Sequence, residues 1–203
     1  IIQRHEILRT LIVEVDNQPN VLITPELDLP FRLHDLGRLP KSEREAKLQH
    51  ILTEDEKTPF NLSTGPLMRV SLLCLGKQNN KDLFTLVFTI HHIAYDGWSA
   101  GVLLREFSAL YQSFVKGQVS PLPELPIQYA DFAYWQHNRL HGQRLEQQLG
   151  YWKKKLVGIP ELLELPSDYS RPSVRTYKGA SYSFALSSEL TERLRVGGLS
   201  NDC

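Results

Sequence analysis

The chain alternates apolar and polar positions in short runs, then changes to a helical period. Leu11–Asp16 and Val21–Ile23 flank Asn17-Gln18-Pro19-Asn20, which predicts a hairpin. Ser42-Glu43-Arg44-Glu45 has the capping-box pattern and opens a helix with Leu48, Ile51 and Leu52 on one face, ended by Thr58-Pro59-Phe60. Leu67–Leu75 reads as a strand, Gly76–Asp82 as a polar turn, and Leu83–Ile90 as a second strand. This second strand is apolar on nearly both faces, as a buried central strand would be. Phe84, Leu86, Phe88 and Ile90 share one side; if the strand continues, His92 shares it too and His91 faces the other.

A strong helix follows, with Leu103, Phe107, Leu110 and Phe114 at helical spacing and Gly117 placed to end it. Ser120–Pro126 reads as a linker or surface crossing. Tyr129–Leu140 and Leu145–Leu156 are helical, separated at Gly142, and Leu145, Leu149, Trp152 and Leu156 form an apolar stripe. Leu165–Val174 reads as extended, Ala180, Tyr182, Phe184 and Leu186 as one face of a strand, and Ser188–Arg195 as a helix stopped by Val196-Gly197-Gly198. There is no internal repeat. Hairpins and helices around a sheet predict an α+β or α/β sandwich rather than an all-α bundle.

Composition narrows the classes. A length of 203 residues suits one large domain or two small ones. Lys+Arg and Asp+Glu both number 23, so no basic excess points to nucleic acid or an anionic membrane. No apolar run approaches the ~20 residues that span a bilayer, and IIQRHEILRT lacks the apolar core of a signal peptide. Two cysteines, Cys74 in an apolar run and Cys203 at the end, make no disulfide framework and fit a reducing cytoplasm. The chain opens without Met, inside a helical pattern, and stops without a closing element, so it is expected to be a piece of a longer polypeptide.

The chemistry concentrates at His91–Ser99. A histidine at the end of a buried strand is held rigidly, and its ordinary pKa of ~6.5 suits proton transfer near neutrality. Gly97 permits unusual backbone angles and close approach of its amide to a ligand, and Ser99 is a candidate N-cap. Asp96 either acts chemically or holds the loop by pairing with Arg4, Arg9 or Arg69, which lie among apolar neighbours. A metal held by His91, His92 and Asp96 is disfavoured, because adjacent strand histidines point to opposite faces.

The string His91-His92-Ile93-Ala94-Tyr95-Asp96-Gly97-Trp98-Ser99 resembles the HHxxxDG signature of condensation domains of nonribosomal peptide synthetases. That signature also occurs in chloramphenicol acetyltransferase-like and wax-ester acyltransferases. The context is more specific. Arg4–Thr10 is similar to the family's RHExLRT segment, Pro59–Leu62 with Gly65–Arg69 to its PFDL…GPLxR segment, and Tyr129–Gln136 to its YxDFAxWQ segment. Leu165–Asp168 with Arg171-Pro172 and Gly179-Ala180 resembles LPTD…RP…GA. Asn61 stands where the family usually has Asp, a change expected to alter a local turn contact, and 196–203 is atypical of the family.

The resemblance implies an N-terminal lobe, residues 1–203, truncated at both ends, with a chloramphenicol acetyltransferase-like mixed sheet flanked by helices. It implies amide formation between a donor aminoacyl or peptidyl thioester and an acceptor aminoacyl thioester. Both substrates arrive on the 4'-phosphopantetheine arms of carrier proteins, and the lobe itself binds no cofactor. His92 is then the expected catalytic residue, with the Gly97 amide assisting the oxyanion. His91 and Asp96 are expected to be structural, Asp96 pairing with Arg4 or Arg9, and Trp98 and Ser99 to shape the channel. Implied partners are a C-terminal lobe, donor and acceptor peptidyl carrier proteins and an adjacent adenylation domain, with no nucleic acid or membrane. Epimerisation, coenzyme A-dependent acyl transfer and a non-catalytic docking module are the alternatives.

Overall fold

The structure, a computed structural model, describes residues 1–170, 172–174, 176, 179–180 and 182–200. The motif position Arg171 and the terminal Cys203 lie outside them. The chain divides into two compact units, Ile1–Lys154 and Lys155–Cys203.

The first unit is organised around a mixed three-stranded sheet. Strands β3 (Phe31–Asp35), β4 (Met68–Gln78) and β5 (Lys81–Ile90) lie in that order, β3 parallel and β5 antiparallel to β4. The central, most deeply buried strand is therefore β4, not β5 as the apolar pattern suggested. β5 carries apolar residues on both faces because each face is partly covered, yet one of its edges has no neighbour among the described residues. β4 and β5 also run two to three residues further than expected: the turn closes on Asn79 and Asn80, both in the left-handed region that Asn tolerates. A register shift between Cys74 and Lys77 absorbs Gly76, whose φ of 85° and close approach to Gly37 would strain any side chain there.

A separate hairpin joins β1 (Thr10–Val15) to β2 (Gln18–Ile23). Its turn is Asp16-Asn17, at φ 52° and 57°, tighter than the four residues expected. Pro19 consequently lies within β2, opposite Glu14, where a two-stranded ribbon tolerates a missing donor.

Helix α1 (Lys41–Lys57) crosses one face of the sheet and is clipped to it at both ends by arginines. Arg44 donates to the Leu75 carbonyl, and Arg69 donates to the carbonyls of Asp55 and Thr58. No capping box forms: Pro40 is the N-cap, so Ser42 and Glu45 are already inside the helix. The opposite face holds the core of Leu8, Met68 and Val70, flanked by Leu86, Phe88 and Ile90. Helix α2 (Gly97–Val115) packs there through Phe107, whose ring meets Phe88 edge-on at 5.5 Å.

The N-terminal segment is tied to α2 by charge. Glu106 accepts from Arg4 Nε at 3.1 Å and lies 2.6 Å from His5 Nε2. Burial pushes the Glu106 carboxyl up, but the His5 and Arg4 hydrogen bonds and charges outweigh it and hold it below the usual range. Gln128, the N-cap of α3 (Tyr129–Arg139), donates to the Arg4 carbonyl at 2.9 Å and accepts from the Glu6 amide at 3.2 Å. Helix α4 (Gly142–Lys155) begins at Gly142, with φ 56°.

In the second unit, α5 (Ser188–Ser200) runs through Gly197 and Gly198 instead of stopping before them, since glycine accepts helical angles as well as left-handed ones. Ala180 and Tyr182–Ser187 do not form the expected strand; among the described residues no neighbour supplies a ladder. Among the described residues, no helix is long and apolar enough to cross a membrane.

Leu73, at 0 % exposure on the α1 face of β4, tests this layering. Leu73→Ala is expected to cost about 2–5 kcal/mol, read as a lower urea midpoint with an unchanged slope.

Candidate functional site

The site begins where β5 stops. The His91 amide donates to the Leu67 carbonyl at 2.9 Å, the last bond towards β4, and the Ala94 amide closes a turn on the His91 carbonyl at 3.0 Å. The strand therefore ends at Ile90, and His92 does not join the face of Phe84 and Phe88. The turn carries it out of the sheet into an exposed position.

His91 keeps the strand's alternation and faces the α1 side. Its ring meets Phe60 edge-on at 5.8 Å. Its Nδ1 accepts from the Ile93 amide at 3.0 Å, which requires a lone pair there and, in the neutral ring, a proton on Nε2. One histidine is thus occupied in closing the turn that presents the other.

Among the described residues, Asp96 pairs with no arginine. It is the N-cap of α2: Oδ1 accepts from the Ser99 amide at 2.8 Å and the Ser99 hydroxyl at 2.7 Å. Ser99 is the reciprocal partner three residues on, not the cap itself. The expected ion pair fails because Asp96 is exposed and needs no buried counter-ion, and the three arginines have other partners. Arg4 reaches Glu106 and the Pro123 carbonyl, Arg9 reaches the Thr24 carbonyl and Glu6, and Arg69 reaches Asp55.

Gly97 is the first residue of α2 and has no positive φ, so strain does not require glycine there. Among the described residues, a Cβ at this position would meet nothing within 4 Å. Its amide is one of the first-turn donors that an α-helix leaves without an intrahelical acceptor. Trp98 is 89 % exposed. Trp98 and Ser99 line a cavity of about 160 Å³ with His5, Ile90, Tyr95 and Val102.

The motif thus brings together an exposed imidazole, a helix N-terminus with open space beside Gly97, and an aromatic side chain free to contact a ligand. Arg4 and Arg9 serve the fold beneath it. Asn61 keeps the acceptor its turn uses: Oδ1 takes the Ser63 amide, the Ser63 hydroxyl and the Thr64 amide at 3.0, 2.8 and 3.3 Å. An Asp would offer the same oxygen, so the departure at 61 leaves these contacts available.

Three residues with structural weight around the site are not singled out by sequence. Asp55 sits in the polar run Thr53-Glu54-Asp55-Glu56-Lys57, where nothing separates the buried carboxylate from exposed ones. Glu106 could have been noticed as the lone acid among apolar neighbours of α2. Phe60 lies inside the PFDL-like segment, where its side chain suggests no role beyond ending a helix.

Residues 1–196 match the model of the Condensation domain family, and this chain belongs to that family. It is 44 % identical to phosphinothricin tripeptide synthetase PhsC of Streptomyces viridochromogenes over 95 % of this chain, but only 17 % of that protein. It is 41 % identical to chondramide synthase cmdD of Chondromyces crocatus over 96 % of this chain and 5 % of that protein. The chain therefore spans a small part of these relatives. Among solved structures it resembles SgcC5 of Streptomyces globisporus, with a TM-score of 0.68, 30 % identity, and coverage of 100 % of this chain and 44 % of that one. It shares the fold of the epimerization domain from the third module of tyrocidine synthetase B, with a TM-score of 0.75 and 24 % identity over 96 % and 43 %. The fold is that of a chloramphenicol acetyltransferase-like lobe, a mixed sheet flanked by helices.

The capping geometry makes a prediction. The Ser99 hydroxyl and then the Ser99 amide hold the Asp96 carboxyl below its ordinary value. A depressed folded pKa gives stability that is present above the unfolded value of ~3.9 and lost as pH falls through the folded one. Asp96→Asn keeps the cap and is expected to hold the neutral-pH melting temperature while flattening this acid dependence. Asp96→Ala is expected to lower the melting temperature at neutral pH. Thermal melts at several pH values check both.

Proposed function

We propose that this chain is the N-terminal lobe of a condensation domain that forms an amide bond between two carrier-tethered substrates. The observation carrying this reading is the exposure of His92 beside the α2 N-terminus while His91 is turned inward, in a chain of the Condensation family. The acceptor's amine nitrogen attacks the donor's thioester carbonyl, forming the C–N bond and a tetrahedral oxyanion. Collapse breaks the C–S bond, and the donor's pantetheine arm leaves as a thiol. The proton lost by the amine reaches the departing sulfur, so the reaction is balanced without a further reactant.

The physical demands are modest. A thioester is already activated, and holding amine and carbonyl in line can be worth ~7–11 kcal/mol in favourable cases. An α-amine has a pKa near ~8, so much of it is protonated at neutral pH. His92 accepts that proton or holds the neutral amine by its lone pair. The developing oxyanion takes a hydrogen bond from the Gly97 amide, a first-turn donor of α2 whose missing side chain leaves the approach open. Trp98 and Ser99 shape the wall along which an arm passes.

The lobe works with partners: a second lobe that completes the channel, donor and acceptor carrier proteins, and a neighbouring adenylation domain. Exposed aromatic and aliphatic side chains on α3 and α4, including Trp135 at 51 % and Trp152 at 55 %, support a covering partner. By itself the 203-residue chain is then inactive.

In the full-length domain with both loaded carriers, His92→Ala is expected to reduce dipeptidyl product about 10²–10⁴-fold, the usual range for losing a general base. Undiminished turnover would remove His92 from the mechanism. Gly97→Ala is expected to leave the melting temperature unchanged or slightly raised and to lower turnover, because the methyl group fills space the substrate approaches.

A further inference from the structure

We infer that the buried Asp55–Arg69 pair positions the His92 turn, acting through Phe60 and His91; the catalytic part of this inference rests on the function proposed above. The pair sits beneath the end of β5 with side-chain exposures of 7 % for Asp55 and 9 % for Arg69. Asp55 Oδ1 accepts from Arg69 Nε at 3.2 Å, with Arg32 Nη1 3.7 Å away. Arg69 uses its other nitrogens on backbone: Nη2 donates to the Asp55 and Thr58 carbonyls at 2.8 Å each, and Nη1 to the Pro59 carbonyl at 3.4 Å. The guanidinium thereby fixes the exit of α1, and its Cζ lies 3.8 Å from the centroid of Phe60, just beyond that exit.

Two routes lead from this pair to His91. Along the sheet, the Thr89 hydroxyl donates to Asp55 Oδ2, and Thr89 stands opposite Arg69 and two residues before His91 on the same face. Through side chains, Arg69 holds one face of Phe60, and Phe60 meets the His91 ring edge-on. That ring must keep its orientation for Nδ1 to accept from the Ile93 amide, and this bond spans His92.

Stability alone does not explain such a pair. Well-packed apolar residues often replace a buried ion pair without loss. What apolar residues cannot do is fix a planar fork on four acceptors at once while presenting a flat cation to an aromatic face. Lysine would supply the charge but not that geometry. The pair acts on His92 only through its neighbours, so Asp55, Arg69 and Phe60 are positioning residues and not catalytic ones.

The test compares Phe60→Leu and Arg69→Lys with Leu73→Ala, all in the full-length domain and at temperatures where each remains folded. Leu73 lies on the same sheet face but away from the turn and serves as the control for general destabilisation. Two quantities are read: the ¹⁵N imidazole spectrum of His91, and kcat and KM with carrier-bound substrates. Phe60→Leu and Arg69→Lys are expected to weaken the hydrogen-bond signature at His91 Nδ1 and to lower kcat about tenfold or more with KM nearly unchanged. Phe60→Tyr, which keeps the ring edge, is expected to restore both, and Leu73→Ala to change neither. An unmoved His91 spectrum in Phe60→Leu and Arg69→Lys would overturn the inference. So would a moved spectrum with intact kcat in a domain that His92→Ala disables. If His92→Ala itself leaves turnover intact, His92 drops out of the proposed mechanism, while a moved spectrum still supports the structural link from the pair to the turn.

Discussion

The amide of His91 donates to the carbonyl of Leu67, and this last rung between β5 and β4 sets everything chemical about the lobe. One residue further and His92 would lie on the apolar face with Phe88, packed against the core. Because the ladder stops there, the chain turns at once and two adjacent histidines acquire opposite surroundings. His91 is folded towards Phe60 and uses Nδ1 to close the turn. His92 is delivered to solvent beside the start of α2. The doubled histidine is therefore a division of labour between orientation and exposure, imposed by strand alternation and a single turn.

Charge is arranged to hold backbone more than to neutralise charge. Arg44 and Arg69 fasten the two ends of α1 to the sheet through carbonyl acceptors, and Arg4 reaches both Glu106 and the Pro123 carbonyl. Each guanidinium satisfies groups that an element end, the register shift in β4 or a crossing loop leaves over, which a point charge would do less well. Asp96 follows the same logic with the opposite sign. It supplies the acceptor that the first turn of α2 lacks, and its low pKa comes mainly from the Ser99 hydroxyl. The exposed end of the motif is thus stiffened by a cap, and its buried side by an ion pair.

Much of this was legible in the sequence, and the gaps have physical causes. Helical and strand periods located α1, α2, α3, β4 and β5: apolar residues recur three and four apart in the helices, and short apolar runs bounded by turn residues mark the strands. The motif residues themselves marked the site. Which strand lies at the centre was not legible, since β5 carries apolar residues on both faces yet occupies an edge, while β4 hides Arg69 and Ser71 among its buried positions. The partner of Asp96 was misassigned because capping depends on where a helix begins, and a small difference in that start moves Ser99 from cap to reciprocal partner. Asp55 was invisible among four neighbouring polar residues; only its three-dimensional meeting with Arg69 sets it apart. The segment around Tyr182 shows the reverse case, an alternating pattern that finds no ladder to join among the described residues.

The most direct test is a structure of the full-length domain with a non-hydrolysable acceptor analogue, an aminoacyl amide on the pantetheine arm of its carrier. The analogue's amine nitrogen is expected within about 3 Å of a His92 ring nitrogen, with His91 still accepting from Ile93. An amine held by the Asp96 carboxylate, or a His92 ring turned away from the arm, would contradict it.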